Sequence, residues 1–347
     1  MSAAAAWIRR LALIGAILCF GVVVLGAYVR LTAAGLGCPD WPGCYGHFTP
    51  AGAEENIATA QQAWPNSPFD AGKAWREMIH RYAAGTLGLI ITIIAALSIT
   101  AATRERAVGI PYALLLFGTV VFQGVLGMLT VTWQLKPLIV TLHLLFGLTT
   151  LGLLWWLWLS LSHTSWAGLA ASRAASPLAA PSRSPRLLIV LALVALGVQI
   201  ALGGWTSSNY AAVACPDFPT CQNSWIPEMN YSDAFVLWRG LGINYEGGVL
   251  DHPARVAIHF THRVGAIVAT VLLVIASWVV FRRRSLVPAR WAAGAVLFAL
   301  VLQLVIGISM VELAFPLWLA TLHNAGAAFL TLTVLTLLHR VSRIRSG

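Results

Sequence analysis

Charge is what this sequence has least of. Only 10% of its 347 residues are charged, against roughly a quarter in an ordinary soluble domain. That scarcity leaves almost no room for a water-soluble fold of this size, and a hydrophobic content of 59% excludes a disordered chain. Acids are the scarcer sign: 12 Asp+Glu stand against 22 Lys+Arg, a formal charge of +10. Such a balance belongs either to a nucleic-acid partner or to membrane topology. Where the charges sit decides between them.

A membrane span needs about 20 mostly apolar residues. Eight such stretches occur, at approximately 11–30, 79–101, 111–132, 138–160, 187–206, 258–280, 290–311 and 318–338. Arg9-Arg10 before the first run resembles a signal peptide, but the run is long for one and a matching segment recurs internally, so it reads as a retained helix. With the N-terminus in the cytoplasm, 14 of the 22 basic residues and one of the 12 acids, Glu105, fall inside. This is the positive-inside pattern of an inner-membrane protein with both termini cytoplasmic. The basic excess is explained by orientation and attraction to anionic membrane lipid, and no nucleic-acid partner is expected.

Cysteine is also sparse, with five in all. Cys19 lies within the first span and reads as a packing residue. The others form two outside segments, Cys38-Pro-Asp-Trp-Pro-Gly-Cys44 and Cys215-Pro-Asp-Phe-Pro-Thr-Cys221. Facing an oxidising space, each pair reads as a local disulfide. A redox-active pair is an alternative. Zinc is another, although no second ligand pair sits nearby.

These segments match at a shift of 177 residues, and the match extends further. Gln123 to Gly127 recurs loosely at Gln303 to Gly307, and Thr141-Leu142-His143 recurs as Thr321-Leu322-His323, both at a shift of 180. His80-Arg81 recurs as His262-Arg263 at a shift of 182. Several elements repeating in one order indicate duplication. Four spans per half give both halves the same sense in the membrane, a parallel repeat. The expected fold is all-α and integral to the membrane: eight transmembrane helices as two tandem four-helix bundles. Residues 1–161 form the first bundle, 187–347 the second, and the Ser/Ala/Pro-rich segment 162–186 a cytoplasmic linker.

Four of the nine histidines obey the repeat: His80, His143, His262 and His323. Each lies near the outer end of an even-numbered span. His47, His163, His252 and His339 follow no repeat and carry no expected role. Ionisable residues within a membrane are rare and usually functional. Two imidazoles on facing helices of a bundle can hold a haem iron from both sides, whereas zinc would want more ligands than each half offers. Glycines near these levels (Gly85, Gly88, Gly118, Gly124, Gly127, Gly147, Gly265, Gly307, Gly326) would let a flat macrocycle approach the backbone or pack helices closely. Arg81, Arg263 and Arg30 are candidate partners for haem propionates. The halves differ at one level: Glu77 precedes His80 by three residues, and its counterpart before His262 is His259. A carboxylate beside one haem can take a proton or stabilise developing positive charge; a symmetric electron carrier has no need of it.

The segment from Gly26 through Arg30, Gly35 and Cys38, together with Glu77-Met-Ile-His80-Arg81, Thr141-Leu-His143, His262-Arg263 and Thr321-Leu-His323, resembles the haem A synthase family over nearly the whole chain. The resemblance implies oxidation of the C8 methyl group of haem O to a formyl group, giving haem A for cytochrome oxidase. It implies haem b ligated by His262 and His323, haem O bound as substrate by His80 and His143, a functional carboxylate at Glu77, and loop disulfides at Cys38–Cys44 and Cys215–Cys221. Haem sites toward the periplasmic side, a haem O synthase and an electron-transfer partner as neighbours, and a homo-oligomer fit the same picture. The alternatives are a diheme cytochrome b exchanging electrons with quinone, which the Glu77/His259 difference disfavours, and a transporter, which would leave four histidines at one depth unexplained.

Overall fold

A computed structural model of the chain describes residues 3–102, 109–163 and 183–344. Eight long helices dominate it: α1 (Ala3–Leu31), α2 (Ala71–Ala102), α3 (Ile110–Thr132), α4 (Pro137–His163), α5 (Arg183–Ser208), α6 (His252–Arg282), α7 (Arg290–Glu312) and α8 (Leu317–Arg343). All eight contain windows long and apolar enough to cross a membrane. Among the described residues there is no strand, only isolated bridges between Cys44 and His47 and between Cys221 and Ser224. A helix satisfies its own backbone hydrogen bonds, which is what permits it to lie in lipid. Large apolar side chains such as Ile17, Ile267, Phe298 and Val301 point outward on these helices, where lipid tails rather than water are their solvent. The chain is a multi-pass membrane protein.

All eight expected spans are present, but several helices outrun them. α2 begins eight residues before position 79 and α6 six before 258, because polar, helix-favouring residues continue the turn beyond the hydrocarbon. At the start of α6, Asp251 accepts from the Ala254 N–H at 2.9 Å and Pro253 supplies a pre-set φ. His80 therefore lies about 13 Å along its helix rather than near its start. The expected linker loses its end in the same way, since α5 already begins at Arg183; residues 164–182 lie outside the described residues.

α1 packs on α2 and α4, α2 on α3, and α3 on α4, closing one ring. α5 packs on α6 and α8, α6 on α7, and α7 on α8, closing another; α1–α8, α4–α5 and α4–α8 contacts join them. The four helices α1, α3, α5 and α7 end alike. Ala34, Leu135, Ala211 and Phe315 each donate a backbone N–H to a carbonyl five residues back, over 2.7–2.9 Å. The preceding residues, Ala33, Gln134, Tyr210 and Ala314, sit at φ between 48° and 59°. This is a Schellman-type stop, made without glycine.

Each ring has its dry core at the end away from the histidines. Ile8, Ala12, Ile91, Leu116 and Leu154 fill one, and Ile189, Leu273, Val296, Leu300 and Leu337 the other. At the opposite end the outer loops form small cores of their own. Tyr45 meets Trp64 and Phe69 edge-on above Cys38 and Cys44, and the Trp205 indole N–H donates to the Ala234 carbonyl at 2.9 Å.

The loop preceding α6 reaches across to the first ring. Lys136, in the α3–α4 turn, is 1% exposed. Its ammonium lies 3.3 Å from the Trp238 ring centroid and donates to the Gly240 carbonyl. The Tyr245 N–H donates to the Gln134 carbonyl at 3.1 Å, and Arg30 at the end of α1 donates to the Ser207 carbonyl at 2.8 Å while stacking on Tyr210.

Candidate functional site

His80 on α2 and His143 on α4 lie within electrostatic range of each other, as do His262 on α6 and His323 on α8. Each imidazole rests against a glycine of a neighbouring helix. A Cβ placed on Gly26 of α1 would stand 2.9 Å from His80 Cε1, and one on Gly203 of α5 would stand 3.2 Å from His262 Cε1. The corresponding distances are 3.5 Å for Gly127 of α3 to His143 and 3.0 Å for Gly307 of α7 to His323. Optimal carbon contacts lie near 3.5–4.0 Å, so a methyl group at Gly26 would force the His80 ring or a helix to shift, and at Gly307 and Gly203 the imidazole would have to give by a few tenths of an ångström.

Glutamines supply the surroundings. Gln123 Nε2 donates to the His143 carbonyl at 2.8 Å. Gln303 Nε2 donates to the His323 carbonyl at 3.0 Å and lies 3.3 Å from both ring nitrogens. Gln199 Nε2 donates to the His262 carbonyl at 3.0 Å and lies 3.1 Å from Nδ1 of the same ring. The position matching Gln199 in the first ring is Val22. His80 Nδ1, His143 Nδ1 and the side-chain oxygens of Gln123, Gln199 and Gln303 are buried without hydrogen-bond partners. Buried polar atoms are rarely left so, and these glycine-lined imidazoles with unpartnered Nδ1 atoms fit residues that would hold a haem. No group of three or more His, Cys, Asp or Glu side chains among the described residues could hold a metal ion.

Glu77 is 4% exposed. Its Oε2 accepts from the Cys38 N–H at 2.9 Å and its Oε1 from Arg81 Nη2 at 2.5 Å. Arg81 also donates to the carbonyls of Asp40, Pro42 and Gly43. In the other ring Arg263 donates through Nε to His259 Nε2 at 3.3 Å and through its other nitrogens to the Thr220 and Cys215 carbonyls. The same scaffold thus carries a carboxylate in one ring and an imidazole in the other.

Cys38–Cys44 and Cys215–Cys221 are disulfide-bonded, so zinc is excluded at these sulfurs. An aspartate organises each loop. Asp40 accepts from the Tyr45 and Gly46 N–H groups, and Asp217 from the Thr220 hydroxyl and the Gln222 and Asn223 N–H groups. These bonds, the Thr220 hydroxyl foremost, hold the Asp217 carboxyl below its ordinary pKa against the opposing effect of burial.

The family model described as cytochrome oxidase assembly protein matches residues 9–335. The chain belongs to this family. A protein named heme A synthase from Shewanella oneidensis is 41% identical over 336 residues, 95% of this chain and 94% of that one. One of the same name from Paracoccus denitrificans is 30% identical over 341 residues, 92% and 83% of the two chains. A third, from Halalkalibacterium halodurans, is 26% identical over 344 residues, 96% and 98%.

Within this cytochrome oxidase assembly chain, the structure adds contacts to several residues that the sequence singled out. Arg81 and Arg263 are engaged by the disulfide loops, and Arg30 by the end of α5, because loop carbonyls converge on guanidinium groups that would otherwise be buried unpaired. Gly85, Gly118 and Gly124 are exposed, with no atom within 4 Å of where a Cβ would stand; they do not pack helices closely. Gly26, Gly203 and Gln199 carried no assigned role in the sequence. A signal was available: Gly26 and Gly203 match at the shift of 177 that aligns the cysteines.

Proposed function

We propose that the chain oxidises the C8 methyl group of haem O to the formyl group of haem A, in successive steps through an alcohol. His80 and His143 hold the substrate haem, and His262 and His323 hold a resident haem b. The observation that carries the assignment of halves is the exchange of Glu77 for His259 on otherwise matching arginine scaffolds. Family membership and the 41% identity to a heme A synthase support the reaction itself.

Glu77 is fixed from two sides, so its carboxylate needs no reorganisation as charge develops beside it. One turn of helix separates it from His80, close enough to accept a proton or stabilise positive charge at the substrate. His259 supplies no negative charge at the matching place. The glycines bring the helix backbones close to the imidazoles and fix how the rings sit. Gln199 and Gln303 orient both histidines of the second site. Haem b, when bound, supplies one-electron redox chemistry.

The two rings are tandem copies of one four-helix unit, 1–161 and 187–347. The shared helix stops at Ala33 and Tyr210, and at Gln134 and Ala314, support this. Both termini lie in the cytoplasm of a bacterial cell and the haem sites toward the periplasm, a reading that the positive-inside charge distribution supports.

The test is coexpression with a source of haem O, followed by chromatography of haems extracted from the purified protein. The wild-type chain yields haem A together with haem B. Glu77→Gln keeps haem B and retains haem O unconverted. Two equivalents of haem B and no haem A would instead mark a diheme electron carrier, and full conversion by Glu77→Gln would remove Glu77 from the chemistry.

A further inference from the structure

At the end of the protein opposite His80, His143, His262 and His323, two arginines of α8 line one cavity, with arginines of other elements nearby. Pro288, Arg340, Arg343 and Ile344 line it. Arg340 lies 5.0 Å from the Trp291 ring centroid, and its Nε is buried without a partner. The Nε of Arg290, at the first turn of α7, is likewise buried and unpartnered. α7 follows directly on a 3-10 turn, Arg284–Ala289, whose Pro288 lines the cavity, and the Arg290 N–H donates to the Val287 carbonyl. Arg186 donates to the Ser342 carbonyl at 2.9 Å, and Arg343 reaches the Ser160 carbonyl at 3.5 Å.

Among the described residues, no carboxylate pairs with Arg340 or Arg343. No Asp or Glu occurs in 156–190, 282–311 or 313–347. The three ion pairs among the described residues (Lys73–Glu246, Arg81–Glu77 and Arg239–Asp233) all lie at the histidine end. Positive-inside bias explains arginines on this side of the membrane. It does not explain why guanidinium groups turn inward, stack on an indole and keep buried N–H donors unpaired, since each such donor costs about 1–3 kcal/mol. A planar guanidinium presents paired donors that match phosphate oxygens. Pro288 and Ile344 give the cavity an apolar rim at the end of α8.

We propose that this cavity binds the phosphate group of an anionic membrane phospholipid, with Arg340 and Arg343 as its principal donors and Arg290 behind them. The lipid phosphate pairs with these guanidinium groups and joins the end of α8 to the start of α7.

The experiment uses the full-length protein, delipidated in neutral detergent. Thermal melting and native mass spectrometry are followed on adding phosphatidylglycerol, phosphatidylcholine or inorganic phosphate. Phosphatidylglycerol should raise the melting temperature and remain bound as a discrete adduct, while the other two should do neither. Arg340→Gln and Arg343→Gln should each weaken that binding about fivefold. Arg343 is exposed, so its substitution leaves the fold intact, and melting without lipid reports on both variants. Arg282→Gln is the control: that residue is exposed on the same side and lies over Trp278 rather than in the cavity. The proposal is overturned if phosphatidylcholine binds as well as phosphatidylglycerol, or if Arg282→Gln weakens binding as much as Arg340→Gln. Stabilisation by inorganic phosphate alone, with no lipid adduct, would assign the cavity to a free anion and overturn the lipid reading.

Discussion

Adding one methyl group at each of four glycines should produce a graded loss of haem. In Gly26→Ala the new Cβ would stand 2.9 Å from His80 Cε1, more than half an ångström inside the contact minimum of about 3.5 Å. Either the imidazole moves or α1 retreats from α2. Overpacking of this kind costs about 1–3 kcal/mol, and replacing a mid-helix glycine by alanine returns about 0.5–1 kcal/mol. The net loss of about 1–2 kcal/mol corresponds to roughly five- to thirtyfold weaker haem retention. Gly307→Ala, at 3.0 Å from His323, should behave alike on the second site, and Gly203→Ala, at 3.2 Å from His262, should be milder. Gly127→Ala, at 3.5 Å from His143, meets no clash and should keep its haem and gain stability. The assay is haem per chain by pyridine haemochrome after size-exclusion chromatography, with thermal melting alongside. Equal haem loss in Gly127→Ala and Gly26→Ala would refute the reasoning, because the contact distances would then have no bearing on ligation.

Gln199→Val gives the second site the side chain that the first carries at Val22; losing a hydrogen bond of about 1 kcal/mol beside His262 should move the midpoint potential of its haem by about 40 mV, read by redox titration, and an unchanged potential would remove Gln199 as a tuning residue. The Asp217 carboxyl has a folded-state pKa below its unfolded value, so its contribution to loop 215–224 is complete above the ordinary carboxylate pKa and is lost as pH falls through the folded one. Amide exchange at Gln222 and Asn223 should therefore accelerate, beyond its intrinsic pH dependence, below about pH 4, a step that Asp217→Asn abolishes.

The membrane class and the eight spans were legible because hydropathy reads directly on a solvent with no hydrogen bonds to offer. The disulfides and the histidine pairs were legible because the same residues occur twice in one order. Glu77 stood out as the place where the two halves disagree. What was not legible depends on distances between chain segments. Nothing local in Arg81 announces that the carbonyls of Asp40, Pro42 and Gly43 converge on its guanidinium. The burial of Lys136 under Trp238 comes from a loop about a hundred residues away. Gly26 and Gly203 are small residues within helices rich in them, and only the packing shows which glycines face an imidazole.

The most direct measurement asks which haem each histidine pair retains. In chains coexpressed with a haem O source, His143→Ala should lose haem O and haem A and keep haem B, while His323→Ala should lose haem B. Loss of haem B from His143→Ala, or loss of both haems in equal proportion from each variant, would contradict the division of the protein into a substrate site and a cofactor site.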